Sequence, residues 1–257
     1  MTHPIKIVVP IYREHLSHTE DEALAHNMAV LQAHPVCFLC PEGLDMTDFT
    51  GRYPQAEVLR VSDEWLGTKK GIQGYNEMMM SAAFYDLFAD CEYILICHTD
   101  ARVFRDEVLA WTAKGYDQVA APWPIRPRYT RFPLNLYVKK KRLSATKKGI
   151  INRFVLYGKV GNGGFCLRKV SAFRDACRQY SDVIREYIAR GHNEDVFWAL
   201  VPEHFHNPTM QQALAFAYDV KPALCHKLAG GRLPMGCHGF AHKSRKPFWS
   251  KFIPGIE

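Results

Sequence analysis

The sequence predicts an α/β protein whose central sheet is mostly parallel and carries helices on both faces. Two observations support this prediction. Between residues 5 and 121, short apolar runs typical of buried strands alternate with longer segments of helical periodicity. The spacing leaves room for a helix between successive strands, as parallel connections require. A chain of 257 residues, 47% of them hydrophobic, can also bury a large core without disulfide or metal staples.

The elements follow in order along the chain. The predicted strands share a short run of apolar and β-branched residues, and they are Ile5 to Pro10, Val36 to Cys40, Glu57 to Val61, Tyr93 to Cys97 and Gln118 to Ala121. The predicted helices begin at the capping-box pattern Thr19 to Glu22, at Gly71 (ending at Ala89) and at Arg105 (ending at Lys114, before Gly115).

Composition excludes several classes of protein. The charged fraction of 23% and the mean hydropathy of -0.22 are those of a folded, water-exposed chain, which excludes a disordered or fibrous protein. No apolar stretch approaches the roughly 18 to 20 residues of a membrane helix. The N-terminal segment reaches Arg13 and Glu14 too early for a signal peptide. We therefore expect a cytoplasmic protein.

The eight cysteines lie mostly in apolar runs, which indicates reduced and buried thiols. Cys37 and Cys40 form a C-x-x-C pattern, but no second pair follows at zinc-finger spacing. In a strand these two side chains point to opposite faces. The pattern therefore does not predict a metal or redox site.

The positive charge is concentrated in one segment. Eleven Lys or Arg and no acid lie between Arg126 and Lys159, which exceeds the net charge of +7 for the whole chain. Such a patch indicates an anionic partner: a phosphate-bearing ligand, an anionic lipid surface or nucleic acid. Because residues 139–149 lack apolar periodicity, we expect them to form a mobile excursion near the mouth of the active site.

Ligands of parallel α/β sheets bind beyond the carboxyl ends of the strands. The first strand runs into Pro10 without a glycine-rich turn, which excludes a dinucleotide-binding fingerprint, and no phosphate-binding P-loop pattern occurs. Another strand runs into His98 and Asp100, whose side chains share a face because strand side chains alternate. A carboxylate and an imidazole there suit a divalent cation that bridges phosphate oxygens. Alternatively, Asp100 caps the following turn.

Four further features are candidates for function. The glycine-rich run from Gly161 to Phe165 predicts either backbone brought close to a ligand or a tight hairpin. Asn193 to Asp195 is typical of a helix start, and it also places carboxylates where the helix dipole is expected to lower their pKa and keep a base ionised. His238, flanked by glycines, is either structural or a ligand, and Trp123 follows a strand end where it can line a cleft.

Taken in order, these patterns resemble a known class. The matching segments are KIVVPIYREHLSHTEDEAL, CPEGLD, GIQGYNEMM, YILICHTDARVF, GYDQVAAPW, VGNGGFCLRKV, NEDVFW and PMGCHGF. The chain resembles the GT-A class of nucleotide-sugar glycosyltransferases, and more closely a little-characterised bacterial family of glycosyltransferase-like (nucleotide-diphospho-sugar transferase) domains. The resemblance implies a GT-A type, Rossmann-like three-layer sandwich with a mostly parallel central sheet. It implies one domain over residues 1–257, with a nucleotide-sugar-binding half (1–125), a basic loop segment (126–159) and an acceptor and catalytic half (160–257).

The resemblance also implies roles for individual residues. GT-A enzymes hold the donor ribose and a Mn²⁺ or Mg²⁺ ion with a D-x-D motif; here Asp100 is the last acid and His98 replaces the first. His238 is similar in place to a late histidine that completes the metal site with Asp100. The implied donor-binding residues are Pro10, Tyr12, Tyr75, Asn76, His98 and Asp100. The implied acceptor-binding residues are Gly163, Gly164 and Phe165, in an acceptor-side turn, together with Trp123.

The implied activity is transfer of a sugar from a nucleotide-diphosphate donor to a glycan or lipid-linked acceptor in bacterial surface polysaccharide synthesis. The acidic pair resembles the one from which inverting enzymes draw their base, so Asp195 is the expected catalytic base and Glu194 its partner, with exchanged roles as an alternative. The basic segment would add peripheral contact with the inner membrane face.

Other functions remain open at the level of sequence. One is a sugar nucleotidyltransferase, although the first strand exit lacks the glycine-rich basic loop such enzymes carry. Another is a non-catalytic nucleotide- or glycan-binding domain, which needs no ionised base. A third is an RNA-binding protein that uses residues 126–159, but their aromatic residues follow no recognised module, so nucleic acid is not the expected partner.

Overall fold

The computed structural model describes residues 3–67 and 69–256. The strands of the described residues are β1 His3–Pro10, β2 Val36–Pro41, β3 Glu57–Val61, β4 Cys91–Cys97, β5 Ala101–Val103, β6 Gln118–Pro122, β7 Val160–Lys169, β8 Ala217–Tyr218 and β9 Gly236–His238.

The helices surround these strands. They are α1 His18–Val30, α2 Thr47–Arg52, α3 Ile72–Met79, α4 Ala82–Asp86, α5 Val108–Thr112, α6 Leu134–Lys147, α7 Arg153–Leu156, α8 Val170–Gln179, α9 Ser181–Ala189, α10 Glu194–Leu200, α11 Met210–Ala213, α12 Pro222–Leu228 and α13 Lys246–Trp249, with one turn of 3₁₀ helix at Pro127–Thr130.

Six strands form the central sheet in the order β3-β2-β1-β4-β7-β6. The first four of these run parallel, and β7 lies antiparallel to both of its neighbours, β4 and β6. All residues of β2 are buried, because helices cover both faces of the sheet. The α/β fold with a mostly parallel central sheet is therefore confirmed.

The two faces of the sheet pack into separate cores. Cys37 and Leu39 lie in one core cluster, whereas Phe38 and Cys40 lie in the other, as the alternation of side chains along a strand requires. All eight cysteines are buried and free, which confirms the expected reduced thiols. Burial raises the pKa of the Cys37 thiol to about 12, which leaves it protonated and inert.

A second, three-stranded sheet in the order β5-β9-β8 stands beyond the end of β4. Strand β9 pairs antiparallel with β5, opposing Ala101 to His238, and parallel with β8, opposing Tyr218 to Cys237. These registers place the residues that precede β5, end β9 and follow β8 beside one another. Three distant parts of the chain thus meet at one point.

Several element boundaries differ from the sequence prediction. The first helix is capped by Ser17, whose side chain and that of Glu20 form the capping box, and not by Thr19. The helix predicted from Gly71 to Ala89 is broken between α3 and α4, where Ser81 takes an extended conformation. Helix α5 is shorter than predicted.

Two larger predictions were wrong. Residues 139–149 were expected to form a mobile excursion with little to pack against, but residues up to Lys147 belong to α6, which packs through Val138 and Ala145. The hairpin expected as one alternative for the glycine-rich run from Gly161 to Phe165, and the acceptor-side turn implied by the resemblance, do not form, because the run lies within β7 between β4 and β6. Close approach of this backbone to a ligand stays a prediction. No helix in residues 3–67 and 69–256 is both long and apolar enough to cross a membrane.

Candidate functional site

Two histidines and an aspartate converge beyond the carboxyl end of β4. His98 follows the strand directly, and its backbone N–H donates to the Gly164 carbonyl at 3.0 Å. Asp100 precedes β5, and the pairing of Ala101 with His238 brings it against the last residue of β9. Ligand atoms of His98, Asp100 and His238 all lie within 4.8 Å of one another. The fold therefore assembles a cluster with one carboxylate and two imidazoles.

A second carboxylate supports this cluster. Asp219 directly follows β8, and its Oδ2 lies 2.9 Å from Nδ1 of His238, while Nε2 of the same ring lies 3.2 Å from Oδ1 of Asp100. Arg245 lies 2.6 Å from the other oxygen of Asp219 and donates to the His238 carbonyl at 3.2 Å. The His238 ring is thus held between two carboxylates, and Asp219 is itself only 2% exposed.

Sequence reasoning missed Asp219 and Arg245. Asp219 had a usable signal, because it ends the apolar run AFAYD in the same way that Asp100 follows the apolar strand β4. Arg245 had none, since it lies in a turn with ordinary surface composition.

The pKa values of the three cluster residues depend on one another. Burial, together with repulsion from His238, lowers the pKa of His98 to about 4, so that imidazole is neutral. Burial alone would raise the pKa of Asp100, but the hydrogen bond and charge of His238 outweigh it and hold that pKa well below its usual range. Burial would lower the pKa of His238, but hydrogen bonds to Asp100 and Asp219 raise it to about 10. The two carboxylates therefore stabilise positive charge at this point, which protonated His238 carries and which a bound metal ion would carry after displacing the His238 proton.

This donor set fits a divalent metal. Imidazole nitrogens and a carboxylate oxygen are ligands that Mn²⁺ and related ions accept. Asp219 bonded to the remote nitrogen of His238 is the arrangement that orients metal-binding histidines in many proteins. Among the described residues, this is the group of three acidic, His or Cys side chains whose spacing suits an ion.

Two adjacent glycines of β7 make room for this arrangement. A Cβ at Gly164 would overlap the His238 ring, and a Cβ at Gly163 would overlap the carboxylate of Glu194. Successive strand residues face opposite ways, so each glycine admits one side chain on its own face of the strand. The glycine pair thus brings the backbone of β7 close to these two side chains. The resemblance had implied that the two glycines lie in an acceptor-side turn.

A cleft lies beside the cluster, at the carboxyl ends of the parallel strands. It has a volume of about 480 Å³ and is lined by Pro10, Tyr12, Leu66, Gly67, Gly71, Ile72, Tyr75 and His98. Tyr75 joins the cleft to the cluster, since its hydroxyl lies 2.8 Å from Nε2 of His98. Four residues predicted for the donor site therefore line one cleft: Pro10, Tyr12, Tyr75 and His98.

Asn76 lies elsewhere. It is 7% exposed, its Oδ1 accepts from the backbone N–H of Glu194 at 3.0 Å, and its Nδ2 donates to Asn193 at 3.3 Å. These bonds join α3 to the start of α10. The structure therefore gives Asn76 contacts that position α10 and places it outside the lining of the cleft.

The two adjacent acids of α10 have different environments. Glu194 is 3% exposed, and its Oε2 accepts from Nη2 of Arg168, a fully buried arginine, at 2.8 Å. Arg168 also donates to the Tyr85 hydroxyl at 2.8 Å. This buried pair fixes Glu194 in place, and sequence reasoning missed Arg168 because no local pattern marks it.

Asp195 is half-buried, and its Oδ1 has no hydrogen-bond partner in the described part of the chain. Burial, followed by the charges of Glu194 and Asp219, raises its pKa to about 7. The helix start was expected to lower this pKa, and that expectation was wrong because desolvation outweighs the effect of the helix dipole. A carboxylate with a pKa near neutrality is suited to accept a proton.

Two residues predicted to bind the acceptor occupy other environments. Phe165 is 1% exposed and stacks on Phe216 in the core, with ring centroids 5.2 Å apart. Trp123 is half-buried after β6, where its backbone bonds to Lys159 and Gly158 at the base of the basic segment. It does not line the cleft beside the cluster.

Comparison with known proteins supplies a family. A model of a family described as "protein of unknown function (DUF5672)" matches residues 55–238, which span β3 to β9 and include the whole cluster of His98, Asp100 and His238. The chain belongs to this family. No curated protein matches the chain.

Solved structures with a similar fold include two glycosyltransferases. The galactosyltransferase LgtC, solved with donor and acceptor sugar analogues, has a TM-score of 0.54 at 12% identity, over 91% of this chain and 86% of that one. An active-site mutant of LgtC gives 0.55 at 14% identity over the same shares. Mouse xyloside xylosyltransferase 1 in its apo form gives 0.52 at 11% identity, over 93% of this chain and 98% of that one. At these identities the likeness shows the fold, which is of the GT-A glycosyltransferase type.

Proposed function

We propose that this protein is a metal-assisted glycosyltransferase that moves a sugar from a nucleotide-diphosphate donor to a glycan or lipid-linked acceptor. The observation that carries the proposal is the cluster of His98, Asp100 and His238 beside a cleft at the carboxyl ends of the parallel strands. Open α/β sheets bind nucleotides at this edge. The GT-A fold supports the same assignment. We propose that residues 1–257 act as one domain with the donor half at 1–125.

The cleft is suited to the nucleotide. Its volume of about 480 Å³ falls in the range of small-molecule sites, and Tyr12 and Tyr75 offer rings with polar ends. The base and ribose would lie along Pro10, Tyr12 and Tyr75. The pyrophosphate would then lie at His98 and Asp100, since these stand at the cluster end of the cleft.

The cluster would hold a Mn²⁺ or Mg²⁺ ion through Asp100, His238 and His98. A bound divalent ion supplies electrostatic stabilisation of the charge that develops on a diphosphate leaving group. Asp219 orients His238 through Nδ1, and Arg245 fixes Asp219 in turn. These two residues would therefore tune the site without touching the donor.

Asp195 is the proposed catalytic base. The acceptor hydroxyl must lose a proton during attack. Asp195 is half-buried, its buried Oδ1 has no hydrogen-bond partner among the described residues, and burial raises its pKa to about 7. Glu194 is engaged by Arg168, so exchanged roles for the two acids are not favoured. A direct attack assisted by one base would invert the configuration at the anomeric carbon. The acceptor would approach near α10 and Trp123, and surface polysaccharide synthesis in the cytoplasm is the proposed setting.

A ligand screen tests this proposal. Thermal unfolding would be followed with each nucleoside diphosphate, with and without Mn²⁺; ligand at about 100 times its dissociation constant adds roughly 2.7 kcal/mol to the free energy of unfolding. We expect one nucleotide to raise the melting temperature only when Mn²⁺ is present. Asp100→Ala should abolish that increase, whereas Asp182→Ala, a change at an exposed surface acid, should keep it.

Two outcomes would count against the proposal. If no nucleotide changed the melting temperature, the assignment of the cleft as a donor site would be contradicted. A shift of equal size in the presence of chelator and in Asp100→Ala would contradict the assignment of a metal site. The protein would then be better described as a metal-independent nucleotide-binding domain.

A further inference from the structure

Helix α6 has an unusual outer surface. Of its fourteen residues only Val138 and Ala145 are buried. Large apolar side chains are exposed along the helix and at both of its ends: Phe132 (79%), Leu134 (38%), Leu136 (55%), Tyr137 (46%), Leu143 (54%) and Ile150 (50%). Other exposed large apolar residues of the described chain lie apart from one another along the sequence, so this segment is a concentrated apolar surface.

The apolar residues share the outer face with lysines. Leu136 and Leu143 are seven residues apart, as are Val138 and Ala145, and at 3.6 residues per turn the two pairs lie on opposite sides of the helix. A shallow groove on the outer side is lined by Leu136, Lys139, Lys140, Leu143, Ser144, Lys147 and Lys148. Leucines and ammonium groups therefore face the same direction, away from the rest of the protein.

The inner side of the helix is fixed to the protein. The Arg142 guanidinium donates to the carbonyls of Phe154 at 3.0 Å and Tyr157 at 2.9 Å. Tyr137 packs edge-on against Phe154 with ring centroids 5.8 Å apart. These contacts hold α6 so that Leu136 and Leu143 stay on the surface.

The charge of the segment is uncompensated. No acid occurs between Arg126 and Lys159. None of the five lysines from Lys139 to Lys148 forms an ion pair with a carboxylate of residues 3–67 or 69–256. Their charge is therefore available to an external anion.

We propose that the outer face of α6, with Leu136, Lys139, Lys140, Leu143 and Lys147, docks on a bilayer surface that contains anionic phospholipid. Anionic headgroups complement the lysines, and the upper acyl region takes up the leucines and Phe132, while the lysine stems reach back to the headgroups. Nucleic acid would satisfy the charge but would leave the leucines in water. This surface is separate from the donor cleft, so the proposal stands independently of the proposed catalytic activity.

The full chain should sediment with vesicles of phosphatidylcholine and phosphatidylglycerol, and not with vesicles of phosphatidylcholine alone. Each lysine near an anionic surface increases the partition coefficient onto the vesicles about fivefold. The double variant Lys139→Gln, Lys140→Gln should therefore bind about 30-fold more weakly. Leu136→Ser with Leu143→Ser should weaken it by roughly tenfold or more, through the lost apolar burial. Added salt should weaken wild-type binding and should affect the lysine variant less.

Matched control variants test whether vesicle binding depends on this surface or on the total charge and exposed apolar area of the protein. Lys227→Gln with Lys251→Gln removes the same charge from other exposed positions, and Leu109→Ser removes an exposed leucine of α5. Both controls should bind vesicles as the wild type does. Melting temperatures should be similar for all variants, because the replaced side chains are exposed.

Three results would overturn the proposal. One is a wild type that does not bind anionic vesicles. Another is RNA binding by the wild type that is lost in the Lys139→Gln, Lys140→Gln variant, while neither the wild type nor the variant binds vesicles. The last is a dimer, seen by light scattering, that dissociates in Leu136→Ser with Leu143→Ser while vesicle binding is absent.

Discussion

Replacement of Glu194 by Gln tests whether the two acids of α10 have separate roles. Glu194 is 3% exposed and pairs at 2.8 Å with Arg168, which is 0% exposed. Removing one partner of a buried pair costs about 3 to 5 kcal/mol, because the remaining charge is left uncompensated. Gln retains an oxygen that can accept from Arg168, so we expect the lower end of that range.

Urea unfolding followed by tryptophan fluorescence measures this cost, since Trp198 lies buried in the same helix. For a chain of this size, 1 kcal/mol corresponds to roughly 2 to 4 °C in melting temperature, so about 3 kcal/mol predicts a decrease of roughly 6 to 12 °C. Asp195→Asn is the control, and it should not destabilise the protein, since it removes a desolvated charge with no hydrogen-bond partner at Oδ1.

A double variant distinguishes the loss of the charge pair from a disturbance of packing. Adding Arg168→Met to Glu194→Gln removes both charges and should recover much of the lost stability. Equal melting temperatures for Glu194→Gln and the wild type, or a double variant less stable than the single one, would refute the assignment of Glu194 to the buried pair.

Three other predictions follow from the geometry. Gly164→Ala should weaken Mn²⁺ binding measured by calorimetry, because its Cβ would displace the His238 ring, whereas Gly43→Ala, with open space around it, should not. The pKa of Asp195 is raised to about 7, so its protonated form contributes to the free energy of unfolding at low pH, and this contribution is lost as the pH rises from about 4 to 7. Turnover should rise with pH through pH 7 as the carboxylate ionises. Asp195→Asn should flatten the pH dependence of both stability and turnover. The eight buried thiols should resist a thiol reagent in the native protein and react fully in denaturant.

The strands could be predicted closely from sequence. Strands buried on both faces read as continuous apolar runs, so β2 and β4 were located within two residues at each end. The edge strand β3 was also located correctly, although Val61 is its one buried residue. Helix α6 was missed because Val138 and Ala145 are its only buried residues, which leaves no periodic apolar pattern to detect. Its Leu, Ala, Lys and Arg residues nevertheless favour a helix intrinsically.

The candidate site could be predicted only in part. Asp100 and His98 were found because a strand end is visible locally, and their proximity to His238 is now seen in the structure. The partners Arg168, Asp219 and Arg245 were missed, since their contacts depend on pairing between distant elements. The pKa of Asp195 was predicted in the wrong direction, because burial of its carboxyl depends on how α10 packs on β7.

Turnover of a nucleotide sugar tests the central claim most directly. The purified protein would be incubated with a panel of nucleotide-diphosphate sugars and Mn²⁺, and release of the nucleoside diphosphate would be measured with and without candidate glycan acceptors. We predict release from one donor class that needs the metal, increases with acceptor and falls on the order of 10² to 10⁴ in Asp195→Asn. A folded wild type that binds a nucleotide sugar but releases no nucleoside diphosphate above Asp195→Asn would contradict the account and leave a binding domain.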